Sequence, residues 1–202
     1  MGGLLARARS GDEAGFLELW RALQPRLLRY LHVLGCDDPD DVAGETWLQV
    51  VRDLHKFAGD DEDFRRWLFT VARHRAIDAA RARIRRPVST MADGLDGFAD
   101  EQLVEDEVLD GMSVKKAVAM LAGLSQDQAE AVALRIIAGL DTPAVASILG
   151  KSPGAVRVAL HRGLRALAAD PQVQALAADS ESGLPGQAPG LVAPWGGGLN
   201  EY

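Results

Sequence analysis

Apolar side chains recur at intervals of three and four residues through the N-terminal part of the chain, the spacing of one face of an α-helix. This pattern predicts three helices, over residues 12–23, 25–34 and 38–54. Pro25 is expected to begin the second helix, because proline is favoured at the first helical position. Asp38 is expected to cap the third.

A polar loop over residues 55–62 precedes a long arginine-rich helix, which Asp63 is predicted to cap and which stops before Pro87. Residues 64–86 hold eight arginines, no lysine and a single acid, Asp78. The planar guanidinium suits phosphate groups and base stacking better than an ammonium does. The segment is therefore a candidate nucleic-acid surface. The alternative is a solvated helix face whose charge is balanced by acids elsewhere.

The last three predicted helices span residues 125–138, 142–149 and 152–169. Ser125, Thr142 and Ser152 are their expected caps, and Gln128 completes a capping box with Ser125. Gly150 lies between the last two helices, so this pair is predicted to form a helix-turn-helix.

The second helix of that motif presents basic side chains and no acid, and a helix of this kind fits the DNA major groove. These side chains are Arg157, His161, Arg162 and Arg165. A plain helical hairpin with one basic face is the alternative interpretation.

No stretch alternates with period two, so the predicted fold class is all-α: two small helical domains joined by an acidic flexible linker and followed by a disordered tail. The linker carries eight acids and no basic residue, and the tail is rich in glycine and proline. The predicted divisions are residues 10–86, 87–112, 113–169 and 170–202.

The composition excludes several functional classes. Apolar residues make up 48% of the 202, and no apolar run is long enough for a membrane helix. The single cysteine excludes an intramolecular disulfide and a thiolate zinc cluster. No nucleophile–base pair, metal-ligand set or phosphate loop is visible, so we predict no catalytic residue, metal or cofactor, and a cytoplasmic protein.

The net charge of −7 conceals an uneven distribution of charge. Residues 1–86 carry 15 basic and 14 acidic side chains, and residues 114–169 carry seven basic and three acidic. The excess acid lies in the linker and the tail. This asymmetry favours a nucleic-acid partner despite the acidic average.

Two sets of motifs together resemble a known family. The first set is Asp38-Pro39-Asp40-Asp41-Val42, Glu45-Thr46-Trp47-Leu48, Phe64-Arg65-Arg66-Trp67-Leu68 and Val71-Ala72-Arg73-His74 through Asp78 and Arg81. The second, within residues 124–167, includes Leu134-Arg135, Gly139-Leu140, Leu149-Gly150 and Leu160-His161-Arg162. In order and spacing they resemble regions 2 and 4 of the extracytoplasmic-function (ECF) sigma factors of bacterial RNA polymerase.

The resemblance implies a sigma factor that binds core RNA polymerase, directs initiation at promoter DNA and is controlled by an anti-sigma factor. It assigns polymerase binding to Asp40, Asp41, Glu45 and Trp47. It assigns −10 recognition and melting to His74, Arg75, Asp78, Arg81 and Arg85, with a flipped base captured by the loop over residues 55–63. It assigns −35 recognition to Arg157, His161, Arg162 and, as a further phosphate contact, Arg165.

The sequence departs from the family pattern at several positions. Gly44 stands where glutamine is usual in the polymerase-binding helix. In region 4, alanines replace the usual arginine, glutamate, threonine and arginine; they are Ala129, Ala144, Ala155 and Ala159. Losing the last of these arginines is expected to weaken the grip on phosphate at −35.

Two other functions fit the same residues. One is a two-domain DNA-binding regulator that uses the helix-turn-helix without recruiting polymerase. The other is a helical protein that sequesters partners. The tryptophans at positions 20, 47 and 67 are expected to be core residues, whichever function holds.

Overall fold

The computed structural model describes residues 2–85, 120–171 and 173–175, and all regular structure within them is helical. The helices are α1 (Gly2–Arg9), α2 (Glu13–Val33), α3 (Pro39–Asp53), α4 (Asp61–Arg85), α5 (Gln126–Ile136), α6 (Thr142–Leu149) and α7 (Pro153–Ala168). We call α1–α4 the N-terminal bundle and α5–α7 the C-terminal bundle. The predicted linker and the tail beyond residue 175 lie outside the described residues. Residues 171 and 173–175, which fall within the predicted disordered tail, are helical.

Helix α2 corrects the prediction of two helices over residues 12–34. It runs unbroken through Pro25, although a proline inside a helix removes a hydrogen bond and costs about 3 kcal/mol. The buried side chains of Leu19, Leu23, Leu27 and Leu31 form one continuous stripe across the proline. Burial of that stripe outweighs the local cost, because a break at Pro25 would turn its two halves apart.

Two predicted caps are wrong by one to three residues. Helix α4 begins at Asp61, and its cap is Asp60, whose Oδ1 accepts hydrogen bonds at 2.9 Å from the backbone N–H groups of Glu62 and Asp63. Helix α6 is capped by Asp141, which accepts from Ala144 N at 2.7 Å. In both places an aspartate just upstream accepts the exposed helix N–H groups better than the predicted residue does.

Helix α1 was not predicted. Its Leu5 and Ala8 are buried against α2. A Cβ at Gly15 would lie 2.6 Å from Arg7 Cβ, so the close approach of the two helices requires glycine there. Arg7 Nε donates to Asp12 Oδ2 at 2.6 Å, and this hydrogen bond lowers the pKa of Asp12.

The helix-turn-helix has the predicted boundaries to within one residue. Gly150 ends α6 with a φ of 64°, a left-handed conformation that favours glycine, and Ser152 Oγ accepts from Ala155 N at 3.2 Å to start α7. Gly163 lies where α7 crosses α5, and a Cβ there would come within 2.9 Å of Val132 Cγ2. This contact fixes the orientation of α7 on its bundle.

One hydrophobic core runs through both bundles. Tyr30 and Phe69 are fully buried in the N-terminal bundle with ring centroids 5.3 Å apart, and α5 packs on α2 while α6 packs on α4. The described residues thus form a closed arrangement, with α7 held on the outside by α5 and α6.

Candidate nucleic-acid and polymerase interface

Most of the predicted −10 residues share one face of α4. His74, Asp78, Arg81 and Arg85 follow one another at spacings of four, three and four, and all are exposed. Arg75 is adjacent and half-buried against α3. The structure therefore brings together the five side chains that the sequence assigned to this role.

The arginines of α4 are less free than the sequence indicated. Arg75 Nη1 lies 3.7 Å from Glu45 Oε2, Arg81 Nη1 lies 3.5 Å from Asp78 Oδ1, and Arg83 Nη1 lies 2.5 Å from Asp37 Oδ2. The expectation of a mostly unbalanced basic helix is corrected, because Glu45 and Asp37 approach α4 from elsewhere in the chain and Asp78 of α4 itself lies beside Arg81. These exposed pairs are weak, about 0–1 kcal/mol each, and phosphate groups can displace the carboxylates.

The outer face of α3 combines acids with apolar side chains. Asp40, Asp41 and Glu45 are exposed, while Leu48 and Val51 expose 66% and 55% of their surface. Exposed large apolar side chains next to charges are typical of a protein-binding surface. Leu48 and Val51 were not among the site residues predicted from the sequence.

Trp47, in contrast, is only 6% exposed. Its indole Nε1 donates to Gln24 Oε1 at 2.7 Å, and its ring meets Phe16 edge to face at 5.9 Å. Trp47 therefore fixes α3 on α2 rather than offering a surface for a partner.

The loop before α4 lines a pocket of about 340 Å³ together with the first turns of α4 and Ser147 of α6; we call it the loop pocket. Phe57 and Trp67 stack nearly parallel in its wall at 5.2 Å, and Trp67 also meets Phe64 edge to face. Asp63, Arg66 and the rest of the lining are polar or small. An aromatic wall beside hydrogen-bonding groups can hold an unstacked base. Phe57 was missed as an individual residue, although the loop that holds it was predicted.

The basic face of α7 is fully presented. Arg157, His161, Arg162 and Arg165 are all exposed, while Val156 and Leu160 are buried on the opposite side. Of the unusual alanines, Ala155 is exposed and Ala159 half-buried on this helix. Ala129 and Ala144 are buried, so a longer side chain at either position would have to displace its neighbours.

Other chemistry is sparse in the described residues. They contain no group of three or more His, Cys, Asp and Glu side chains able to hold a metal ion, and no helix among them is long and apolar enough to span a bilayer. Burial raises the pKa of the Cys36 thiol, which lowers its fraction of reactive thiolate.

Comparison with known proteins decides the family. The family models Sigma-70 region 2 and Sigma-70, region 4 match residues 15–86 and 110–167. The ECF RNA polymerase sigma factor ShbA of Streptomyces griseus is 34% identical, over 84% of this chain and 94% of its own. The chain belongs to the ECF sigma factor family. A second relative, BldN of Streptomyces coelicolor, is 30% identical over 82% of this chain, which spans 63% of the length of BldN.

Two solved structures share the fold of this sigma factor. CnrH, in complex with the cytosolic domain of CnrY, superposes with a TM-score of 0.55 at 24% identity, covering 82% of this chain and 93% of that chain. RpoE of Bartonella quintana, in complex with the anti-sigma factor NepR, gives 0.58 at 21% identity, covering 81% and 96%. Because sigma factors direct RNA polymerase to promoters, the exposed faces of α3, α4 and α7 lie on a transcription-initiation protein.

Proposed function

We propose that this ECF sigma factor binds core RNA polymerase through the N-terminal bundle and positions it on a promoter with the exposed faces of α4 and α7. The observation that carries the proposal is the presence of two exposed basic helices on two bundles that match regions 2 and 4. The divisions at 10–86, 87–112, 113–169 and 170–202 are part of the proposal.

Polymerase contacts the outer face of α3 in this scheme. The charge on this face comes from Asp40, Asp41 and Glu45. Its apolar surface comes from Leu48 and Val51, and burying that surface on binding favours the complex. Trp47 acts by holding α3 in place. Gly44 leaves the centre of this face without a side chain, so the neighbouring apolar pair carries more of the contact than the family pattern implies.

The loop pocket and α4 act on the −10 element. A base that leaves the stack enters the pocket between Trp67 and Arg66, while Arg81 and Arg85 hold the backbone of the opened strand. Unstacking costs a few kcal/mol, which stacking on an aromatic wall can offset. Opening is thus driven by capture of the single strand, and no catalytic residue is required.

The first turns of α7 enter the major groove at −35. Arg157 lies near the helix start, where side chains reach base edges, and Arg162 and Arg165 lie further along, where they hold phosphates. His161 lies one turn after Arg157 on the same side. The small side chains of Ala155 and Ala159 leave these three arginines to supply most of the grip.

An anti-sigma factor is the second proposed partner. RpoE of Bartonella quintana, whose structure shares the fold of this chain, is a sigma factor in complex with the anti-sigma factor NepR. We place the action of such a partner on this chain in the cytoplasm, where polymerase and the chromosome are.

The acidic linker has a separate proposed role. Its eight acids imitate nucleic acid inside the polymerase channel, so replacing them with Ser and Asn should lower polymerase affinity or change the yield of abortive RNA.

Run-off transcription with core polymerase and a pool of genomic fragments tests the proposal. A sigma factor gives discrete, promoter-dependent transcripts that are absent when the chain is left out. A helix-turn-helix regulator that acts without polymerase would bind fragments and yield no such transcripts. A protein that only sequesters partners would neither bind the fragments nor support transcription, and it would give no crosslink to promoter DNA.

A further inference from the structure

A buried carboxylate joins the two bundles. Glu130 of α5 is only 6% exposed, and its Oε1 accepts a hydrogen bond from Tyr30 Oη at 3.0 Å and another from Arg73 Nε at 2.7 Å. Both donors belong to the N-terminal bundle, on α2 and α4. The three groups form the only contact set in the described residues in which a buried acid meets an arginine across the two bundles.

Glu130 can accept hydrogen bonds from Tyr30 and Arg73 only while the two bundles are in contact. A buried charge without hydrogen-bonding partners is costly, so Glu130 needs both donors in the closed arrangement and water when the bundles part. Arg73 lies two residues before Arg75, on nearly the opposite side of α4, so it faces α5 rather than the −10 stripe. The turn after α5 adds contact, since a Cβ at Gly139 would lie 3.4 Å from Arg65 Nη1.

The same arrangement places the C-terminal bundle beside the loop pocket. Ser147 of α6 lines that pocket together with Phe57, Trp67 and Arg66. The basic face of α7, in contrast, points to solvent. In the closed form the −35 surface is therefore available while the mouth of the −10 pocket is shared with α6.

We propose that Tyr30, Glu130 and Arg73 form a polar latch that keeps the chain closed and its −10 pocket partly covered until the bundles separate. The role of the pocket rests on the proposed function; the latch itself does not. The two bundles also share a hydrophobic core, and the latch adds to it a polar contribution whose partners water can replace when the bundles part.

Double electron–electron resonance on the free chain tests the latch without polymerase. Spin labels are attached to Arg52→Cys and Ala168→Cys, both exposed, in a Cys36→Ser background. The chain with an intact latch should give one narrow distance distribution. Glu130→Ala should raise the population at longer distances roughly tenfold or more, the effect expected on losing the hydrogen bonds to one buried charge.

Two further variants keep the result decisive. Gln126→Ala truncates an exposed polar side chain of α5 that is not part of the latch, and should leave the distribution unchanged. Tyr30→Phe keeps the ring packed on Phe69 and removes only the hydroxyl, so it should open the chain partially even if Glu130→Ala does not fold. Unchanged distances in folded Glu130→Ala or Tyr30→Phe would overturn the latch, as would a broad distribution in the chain with the intact latch. Opening in these variants, together with no promoter-dependent transcripts from the native chain, would support the latch and contradict the proposed function.

Discussion

Arg75 links the two surfaces that the family assigns to separate partners. Its Nη1 lies 3.7 Å from Glu45 Oε2 on α3, and its Nη2 donates to Gln49 Oε1 at 2.8 Å. Glu45 is a proposed polymerase contact and Arg75 a proposed −10 contact, so under this proposal a shift of α3 on polymerase would reach the −10 surface through Arg75. Polymerase binding and promoter opening are therefore expected to be coupled through this pair.

Replacing two arginines of α4 should separate opening from recruitment. We expect Arg75→Ala with Arg81→Ala to reduce strand opening strongly while initial promoter binding falls much less, because α7 and polymerase retain their contacts. Permanganate footprints measure opening and mobility shifts measure binding. Arg9→Ala with Arg21→Ala removes two exposed arginines from other helices as the control. Normal footprints in the α4 double variant would contradict the assignment.

The basic residues of α7 should fall into two kinds. Arg162→Ala is expected to weaken promoter binding evenly across sequences and to reduce the salt slope of the binding constant by about 1, since it removes one phosphate contact. Arg157→Ala is expected to cost about 1–3 kcal/mol on the preferred −35 sequence and less on others. Fluorescence anisotropy with matched and mismatched duplexes distinguishes them. Identical losses on all duplexes for both variants would remove the proposed division of roles.

The apolar pair on α3 should act in polymerase binding and not in folding. Leu48→Asp with Val51→Asp is expected to weaken the complex with core polymerase tenfold or more, a loss of about 1.4 kcal/mol or above, with little change in unfolding free energy. Trp47→Ala, as the contrast, should destabilise the fold by about 3–5 kcal/mol. Titration against labelled polymerase and urea unfolding give the two quantities. Full affinity in the aspartate variant would move the polymerase site elsewhere.

Two glycines should respond to alanine with opposite signs. The position that a Cβ would take at Gly44 has open space around it, so Gly44→Ala should stabilise α3 by about 0.5–1 kcal/mol. Gly163→Ala should destabilise the chain by about 1–3 kcal/mol, because its Cβ would press on Val132 Cγ2 at 2.9 Å. Urea unfolding of the full chain measures both. Equal effects of the two substitutions would show that α7 packs on α5 with enough space at Gly163 to accept a methyl group.

Alkaline pH should weaken the contribution of Tyr30. Burial, followed by the nearby charge of Glu130, raises the pKa of Tyr30 well above its ordinary value of 10.0. The folded chain therefore holds this proton more tightly than the unfolded chain, and the stabilisation is complete below pH about 10 and declines as pH rises above it. The gap in unfolding free energy between the native chain and Tyr30→Phe should be smaller at about pH 10.5 than at about pH 8. A gap that stays constant or widens would be inconsistent with a protonated, buried hydroxyl.

Local signals in the sequence were enough for much of the architecture. The cap at Asp38, the capping box of Ser125 and Gln128, and the end of α6 at Gly150 involve residues at most a few positions apart, and all three are present as predicted. The same is true of the basic stripe on α7, since helical spacing alone decides which side chains share its face.

Long-range packing was beyond the reach of those signals. Pro25 indicated a break, and only the leucine stripe packed behind it explains the continuous α2. Val50 and Val51 are adjacent valines of α3, yet Val50 is buried and Val51 is exposed. The helices that pack on α3 decide where its apolar face ends. Glu130 meets Arg73 across 57 residues and Tyr30 across 100, so no local pattern could have paired them.

Direct association with core RNA polymerase is the simplest test of whether this chain acts as a sigma factor. The purified 202-residue chain, freed of any inhibitor, is titrated at low salt into labelled bacterial core polymerase, with the Leu48→Asp and Val51→Asp variant as the matched control. We predict saturable binding of one chain per polymerase that the variant weakens at least about tenfold. No binding by the native chain under these conditions would contradict the account as a whole.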